Sequence, residues 1–312
     1  MRTLAAGVVV WALGAAAAIA AEPLAHVEIA GTGETDVVLI HNTLADSGVW
    51  DSFLERNGER YTMHAVRLAG MGGSEALGLP DGSPLDEMVW SDATVAALAE
   101  HCADEGLEDV VVIGHGIGGM IGMRLAVAHP ELVEGVVLVD TMPAHPLTAQ
   151  GFRMNDSERV QYLLEGFIAA TKNEDPIGWR VQWRAIAQRQ TTDATEAERL
   201  SEMAGMVELD VWRRWMIELQ APDMTDELDA SGVRVLGVGA VNIGLIQMFS
   251  TRVMVEEFWN LAFDGVENSE VTFFDESSHY IFLDRPEAFD AMVERFVAGE
   301  DQPEYSYREG GE

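Results

Sequence analysis

The segment VVVIGHGIGGMIG, residues 110–122, constrains the fold more than any other part of the chain. A run of β-branched residues enters a glycine-rich corner, and small and apolar residues follow it. Such a continuous apolar run is typical of a strand buried on both faces of a parallel sheet. Glycine at the corner allows backbone angles that other residues rarely adopt. The segment therefore predicts a buried strand, a sharp turn at Gly116 and a helix.

Strands and helices alternate along most of the chain. Apolar runs predict further strands in LAHVEIAGTGE and YTMHAVRLAG and at 36–40, 136–140, 233–239 and 270–274. Helical patterns lie between strands, including SDATVAALAEHCADEG, which opens on a Ser-Asp cap, and PEAFDAMVERFV near the end. This alternation indicates right-handed β–α–β crossovers and a mostly parallel, doubly wound sheet. The predicted fold class is α/β.

A helical region rich in Trp and Met interrupts the alternation from 146 to 225. We interpret it as a cap inserted between two parts of the sheet domain, at 22–145 and 226–298. Its tryptophans either form the cap core or line an apolar pocket, and both readings stay open. These tryptophans are Trp179, Trp183, Trp212 and Trp215. The acidic tail at 299–312 is predicted to be disordered.

The first 21 residues have the layout of a secretory signal peptide. Arg2 precedes an apolar run that ends in Ala18-Ile19-Ala20, a small-residue pattern of the cleavage-site kind. We therefore expect a secreted or periplasmic protein. The alternative is an uncleaved anchor, because the apolar run is nearly long enough to span a bilayer.

The charge balance narrows the range of partners. The chain has 53 acidic and 19 basic residues, a formal net charge of −34. Such a surface repels nucleic acid and anionic lipid, so we expect neither as a partner, and membrane contact only through an uncleaved leader. The histidines lack metal-ligand spacing, so we predict no metal and no cofactor. The single cysteine, Cys102, excludes an internal disulfide.

Four segments, in order along the chain, resemble motifs of the α/β-hydrolase family. They are VVLIHNTLADSGVW, HAVRLAGMGGS, VVVIGHGIGGMIGMRLAVAHPELVEGVVLVD and FFDESSHYIFLDRPEAF. The chain is similar to capped members of this family over residues 24–298. The resemblance implies a sheet of the α/β-hydrolase type, with a helical cap inserted after the sixth strand. A capped apolar site would take a small neutral or apolar molecule.

The resemblance also implies a catalytic set, from which one group is missing. In the family pattern G-x-S-x-G the middle residue is the nucleophilic serine, and Gly116 stands at that position. His279 matches the catalytic histidine. Asn242 stands near the family's acid position, and Asp140 is a second candidate because some members place the acid after that strand. The choice between the two stays open.

Two backbone amides, those of Thr43 and Ile117, match the family's oxyanion hole. Asn42 stands where the family usually has glycine. Asparagine tolerates left-handed backbone angles, so we expect this loop to keep its shape. His115, inside the glycine corner, is expected to pack beside the turn.

Two functional hypotheses follow. In the first, the protein cannot form an acyl-enzyme and uses its capped pocket to bind a small molecule. In the second, it is a hydrolase of esters or related carbonyl compounds, with His279 as a general base on water or on an acidic C–H. An interaction role for the cap surface is a third possibility.

Overall fold

The computed structural model describes residues 21–78, 87–144, 161, 165, 176–241 and 252–303. The segment on which the prediction of a leader rests lies outside these ranges, apart from residue 21. Among the described residues, no helix is long and apolar enough to cross a bilayer.

A seven-stranded sheet forms the centre of the described structure, in the order β1-β3-β2-β4-β5-β6-β7. The first strand pairs antiparallel with β3, and every other pairing is parallel. The predicted α/β class and the mostly parallel sheet are confirmed. The strands are β1 (Leu24–Gly31), β2 (Thr35–Ile40), β3 (Tyr61–Leu68), β4 (Val110–His115), β5 (Val133–Val139), β6 (Arg234–Ala240) and β7 (Ser269–Phe274).

Helices connect the parallel strands, as right-handed crossovers require. A short 3-10 helix, Ser47–Trp50, precedes the first α-helix. The α-helices that the structure describes are α1 (Asp51–Asn57), α2 (Val89–Glu105), α3 (Ile117–Ala128), α4 (Pro176–Ala187), α5 (Ala194–Ala204), α6 (Leu209–Gln220), α7 (Thr225–Ser231), α8 (Arg252–Phe263), α9 (Ile281–Asp284) and α10 (Pro286–Val297).

The helical insertion differs from the prediction in its position. Helices α4 to α7 lie between β5 and β6, so the insertion follows the fifth described strand and not the sixth. The start of the acidic tail also differs from the expected disorder. Gln302 is 7% exposed, and its side-chain amide donates to the Met292 carbonyl at 3.2 Å. Order therefore extends to residue 303, and the rest of the tail lies outside the described residues.

The sheet order places the switch in winding direction between β2 and β4, because β3 lies on one side of β2 and the later strands lie on the other. These two strands are fully buried neighbours near their carboxyl ends, where Ile40 pairs with Gly114. In open parallel sheets, ligands bind at such a switch point, outside the carboxyl ends of the strands. Asn42 and Gly116 each follow this pair by two residues.

Candidate active site

His279 and Asp140 form a hydrogen-bonded pair at the carboxyl edge of the sheet. Nδ1 of His279 donates to Oδ2 of Asp140, and the two side chains are 12% and 6% exposed. Asp140 follows β5 directly and has a left-handed φ of 47°, which aspartate tolerates better than most residues. Because Nδ1 carries the proton, Nε2 is left as an acceptor. Asn242, the other candidate acid, lies outside the described residues.

Gly116 forms the corner between β4 and α3. Its φ is 55° and its ψ is −118°. Its N–H donates to the Val139 carbonyl at 3.1 Å, and its carbonyl accepts from the Thr141 hydroxyl at 2.8 Å. A Cβ on Gly118 would overlap the Ile40 carbonyl, so α3 approaches the backbone of β2 closely. Backbone contacts of Gly116 and Gly118 thus hold the corner in place, and neither residue presents a side chain.

Two backbone amides point at one atom, the Oδ1 of Asn42. The N–H groups of Thr43 and Ile117 donate to it over 2.7 Å and 3.3 Å. Ile117 opens α3, so its amide is one of the unpaired donors of a helix N-terminus. Met216, on the inserted helix α6, brings its sulfur within 3.9 Å of the Thr43 hydroxyl. The two predicted oxyanion donors are therefore neighbours beneath the insertion.

The other end of the Asn42 side chain contacts the histidine. Its Nδ2 donates to Nε2 of His279 at 2.6 Å. One carboxamide group therefore bridges the two amide donors and the imidazole. The side chain is buried, and the backbone φ of Asn42 is not positive. The expectation that asparagine serves a left-handed backbone at this position was wrong, because the structure uses its side chain instead.

His41, which the sequence analysis did not single out, fixes the loop that carries Asn42. Its Nδ1 donates to the Asn42 carbonyl at 2.8 Å, and its Nε2 accepts from the Leu68 N–H at 3.1 Å. Complete burial lowers the pKa of His41 to about 4, because charging the ring would require desolvation. The ring is therefore neutral and pins the loop to the end of β3. Its place in the quoted VVLIHNT motif is the signal that could have identified it.

His115 packs beneath the hydrogen-bonded pair of His279 and Asp140. Its ring centre lies 4.2 Å from that of His279 and 4.5 Å from that of Tyr280. Burial, followed by the nearby imidazoles of His279 and His41, lowers the pKa of His115 well below its usual value. A neutral ring adds no positive charge next to His279.

The loop of His279 is tied to the insertion through Asp284. One carboxylate oxygen of Asp284 accepts from the Ser278 N–H at 2.6 Å. The other accepts from the Thr191 hydroxyl at 2.6 Å and the Thr192 N–H at 2.7 Å. Sequence patterns do not predict these contacts of Asp284, because Thr191 and Thr192 lie more than 90 residues away from it in the chain. The position of His279 thus depends on the segment that joins α4 to α5.

Three of the four tryptophans of the insertion pack against one another, and the fourth packs against α2. The rings of Trp179, Trp183 and Trp212 lie 4.5–5.0 Å apart between centres. Trp215 packs edge-on against Trp90 of α2 at 5.3 Å. Trp179, Trp212 and Trp215 are at most 4% exposed, as expected of a core. Their role in lining a pocket stays a prediction.

Sequence comparison connects this geometry with a known family. A family model described as "Alpha/beta hydrolase family" matches residues 37–292. The pimeloyl-[acyl-carrier protein] methyl ester esterase of Yersinia enterocolitica is 25% identical over 279 residues, which cover 86% of this chain and 95% of that protein. The enzyme of the same name from Pectobacterium carotovorum is 28% identical over 149 residues, 45% of this chain and 53% of that protein.

Solved structures resemble the fold over most of its length. An esterase from Rhodococcus sp. ECU1013 has a TM-score of 0.67 at 20% identity and covers 88% of this chain and 94% of its own. An esterase from Exiguobacterium antarcticum has a TM-score of 0.66 at 19% identity, with 88% and 95% covered. An enol-lactonase from Burkholderia xenovorans LB400 has a TM-score of 0.65 at 16% identity, with 88% and 96% covered.

Proposed function

Because this chain belongs to the alpha/beta hydrolase family, we propose that it hydrolyses esters or related carbonyl compounds by direct attack of water, with His279 as the general base. Gly116 stands at the position of the family's nucleophilic serine and offers no attacking atom. The reaction would therefore proceed without an acyl-enzyme. The proposal keeps the other groups of the family's site and replaces the serine by water as the attacking group.

The proposal depends on one observation, the arrangement of groups around Nε2 of His279. The pair with Asp140 leaves that nitrogen as an acceptor, and the Asn42 carboxamide links it to the amides of Thr43 and Ile117. A general base and two oxyanion donors thus lie within the span of one planar group. General-base catalysis of this kind contributes on the order of 10²- to 10⁴-fold in rate.

The proposed reaction has two steps. First, Nε2 of His279 takes a proton from water as its oxygen attacks the carbonyl carbon, and the developing oxyanion accepts from the N–H groups of Thr43 and Ile117. Asp140 stabilises the imidazolium. Next, the tetrahedral intermediate collapses, the C–O bond to the leaving alcohol breaks, and that oxygen takes the proton from Nε2. The products are a carboxylic acid and an alcohol.

The relatives support an ester as the substrate class. The relative from Yersinia enterocolitica is named a methyl ester esterase, and this name supports the proposal that the chain acts on an ester. The net charge of −34 disfavours anionic substrates, and the buried apolar insertion favours a small neutral molecule. The apolar first 21 residues support export as part of this proposal.

Binding without turnover is the second candidate function. The observation that favours it is the same Asn42 side chain, which occupies the hydrogen-bonding positions of both the base and the oxyanion donors. A protein that kept this arrangement with a ligand present would hold the ligand elsewhere under the insertion. Turnover separates the two candidates.

The test is hydrolysis of short-chain p-nitrophenyl esters by the protein and by His279→Ala. We expect slow turnover that falls by about 10²-fold or more in the variant, because the base is lost. The matched control is His129→Ala, which removes an exposed histidine at the end of α3 and should leave the rate unchanged.

Equal rates for the protein and His279→Ala would overturn the proposed reaction. Binding would then be measured through stability, since a ligand at 100 times its Kd adds about 2.7 kcal/mol to the free energy of unfolding.

A further inference from the structure

We infer that the Asn42 carboxamide is an internal ligand of the active site, which competes with a substrate or product carboxyl group for the same seat. The inference deepens the proposed function, on which it rests. It names the group that the seat binds, a planar carboxyl or carboxamide group, and the residue that controls access to it.

The carboxamide of Asn42 has the planar shape of a carboxyl group. In a carboxamide, one carbon carries an oxygen and a nitrogen, as the carbon of a carboxylic acid carries two oxygens. Oδ1 of Asn42 accepts from the N–H groups of Thr43 and Ile117, and Nδ2 donates to Nε2 of His279. A carboxylic acid product of water attack would place its two oxygens at the same positions, one at the amides and the other at the imidazole, where it would share one proton with Nε2.

The Asn42 side chain fills the space next to the corner at Gly116. A Cβ on Gly116 would overlap Oδ1 and Cγ of Asn42 and come within 2.9 Å of Nδ2. The inward position of the Asn42 side chain therefore requires that residue 116 has no side chain. Either side chain fills this volume, and both together do not fit without movement.

The loop that carries Asn42 is anchored through its backbone. The Asn42 carbonyl is held by the His41 ring and also accepts from the Ala45 N–H at 3.2 Å. The backbone of Asn42 is thus fixed independently of its side chain. Rotation of the side chain alone would free the seat, and the loop would keep the oxyanion amide of Thr43 in position.

Occupancy by Asn42 reduces the apparent affinity for an external ligand by the fraction of time that the seat is open. Three hydrogen bonds of ordinary net strength hold the side chain inward, which corresponds to a reduction on the order of 10- to 1,000-fold. Asn42→Ala removes the side chain and should raise the apparent affinity for an external ligand by that factor. Asn42→Asp should not raise it, because the carboxylate has the same shape and still accepts from both amides.

The experiment measures binding of butyramide, a neutral carboxamide probe with the same donor and acceptor as the Asn42 side chain, to the full chain by calorimetry. We expect Asn42→Ala to bind butyramide at least 10-fold more tightly than the parent protein. Asn42→Asp should bind it no more tightly than the parent. Asn268→Ala, which removes an asparagine from the surface far along the chain, is the matched control and should behave as the parent does. Equal affinities for the parent and Asn42→Ala would overturn the inference.

A second readout uses a covalent probe and needs no turnover by water. Gly116→Ser introduces a hydroxyl that a fluorophosphonate can label. We expect Gly116→Ser to be labelled at least 10-fold more slowly than the double variant Asn42→Ala/Gly116→Ser, because Asn42 obstructs the new side chain. Equal labelling rates would contradict the coupling of the two positions.

The two proposals fail in different ways. Absence of His279-dependent hydrolysis would remove the proposed reaction and leave the calorimetric result intact. If Gly116→Ser does not fold, the calorimetric comparison of Asn42→Ala with the parent still decides the inference.

Discussion

His41 is held in one protonation state by the two hydrogen bonds of its ring. Nδ1 donates to the Asn42 carbonyl, and Nε2 accepts from the Leu68 N–H. A second proton on the ring would have to bind Nε2, where the Leu68 N–H already donates. Burial lowers the pKa of His41 to about 4. The unfolded chain therefore binds a proton near pH 6.5 that the folded protein does not bind until about pH 4. Its contribution to stability is present above pH 6.5 and declines as the pH falls through this window.

We predict that His41→Gln flattens the pH dependence of stability. Between pH 7 and pH 5 the parent should lose about 2 kcal/mol more of its free energy of unfolding than the variant loses. Urea denaturation at several pH values measures the difference. Taking the difference removes the contribution of the many carboxylates, which both proteins share. Parallel curves would contradict a neutral His41 in the folded state.

At the scale of single residues, motif resemblance identified positions better than it identified roles. His279 and Asp140 form a hydrogen-bonded pair at the sheet edge, whereas the sequence left the choice between Asp140 and Asn242 open. The part played by Asn42 was not visible in the sequence, because it depends on a side-chain direction. The same letters could have described a left-handed backbone with the amide in solvent.

The N-terminus of α2 shows how a distant element can replace a local signal. The sequence predicts a cap from Ser91 and Asp92 at the start of this helix. Instead, the carboxylate of Glu218, on α6, accepts from the Trp90 N–H at 3.1 Å and the Ser91 N–H at 2.6 Å. The carboxylate is fully buried and also pairs with Arg214 at 2.5 Å. The helix accordingly begins at Val89, two residues before the predicted cap.

We predict that Glu218→Ala destabilises the protein by about 3–5 kcal/mol. The substitution leaves the buried Arg214 unpaired and two helix amides without an acceptor. The matched control is Glu208→Ala, which breaks an exposed ion pair with Arg180 and should cost about 1 kcal/mol or less. Urea midpoints of the two variants compare the costs, and similar values would contradict a structural role for the buried carboxylate.

At the scale of elements, the strands were the most predictable part of the fold. Continuous apolar runs need burial on both faces, and a parallel sheet covered by helices provides it. The strands β2, β5 and β6 end within one residue of their predicted ends. The position of the insertion was less predictable. Its helices bury tryptophans against one another, and helical periodicity does not reveal which strand precedes an insertion.

The net charge of the whole molecule affects the stability of its folded state. Many arginines of the described structure lie in ion pairs, for example Arg56 with Asp290 at 2.7 Å and Arg199 with Glu196 at 3.0 Å. Because the chain has 53 acidic residues against 19 basic ones, most carboxylates have no basic side chain to pair with. The excess charge repels itself in the folded state. Composition alone predicts this property, since it requires no knowledge of the fold.

We predict that salt stabilises this protein. Raising NaCl from 0.1 M to 1 M shortens the Debye length from about 10 Å to about 3 Å, which screens repulsion among surface carboxylates. With a net charge of −34, the free energy of unfolding should rise by about 1 kcal/mol or more. Urea denaturation across the salt series measures the change. KCl is the control, because screening depends on ionic strength and not on the identity of the cation. A gain with NaCl that KCl does not reproduce would indicate bound sodium, and no gain with either salt would show that the surface charges lie too far apart to matter.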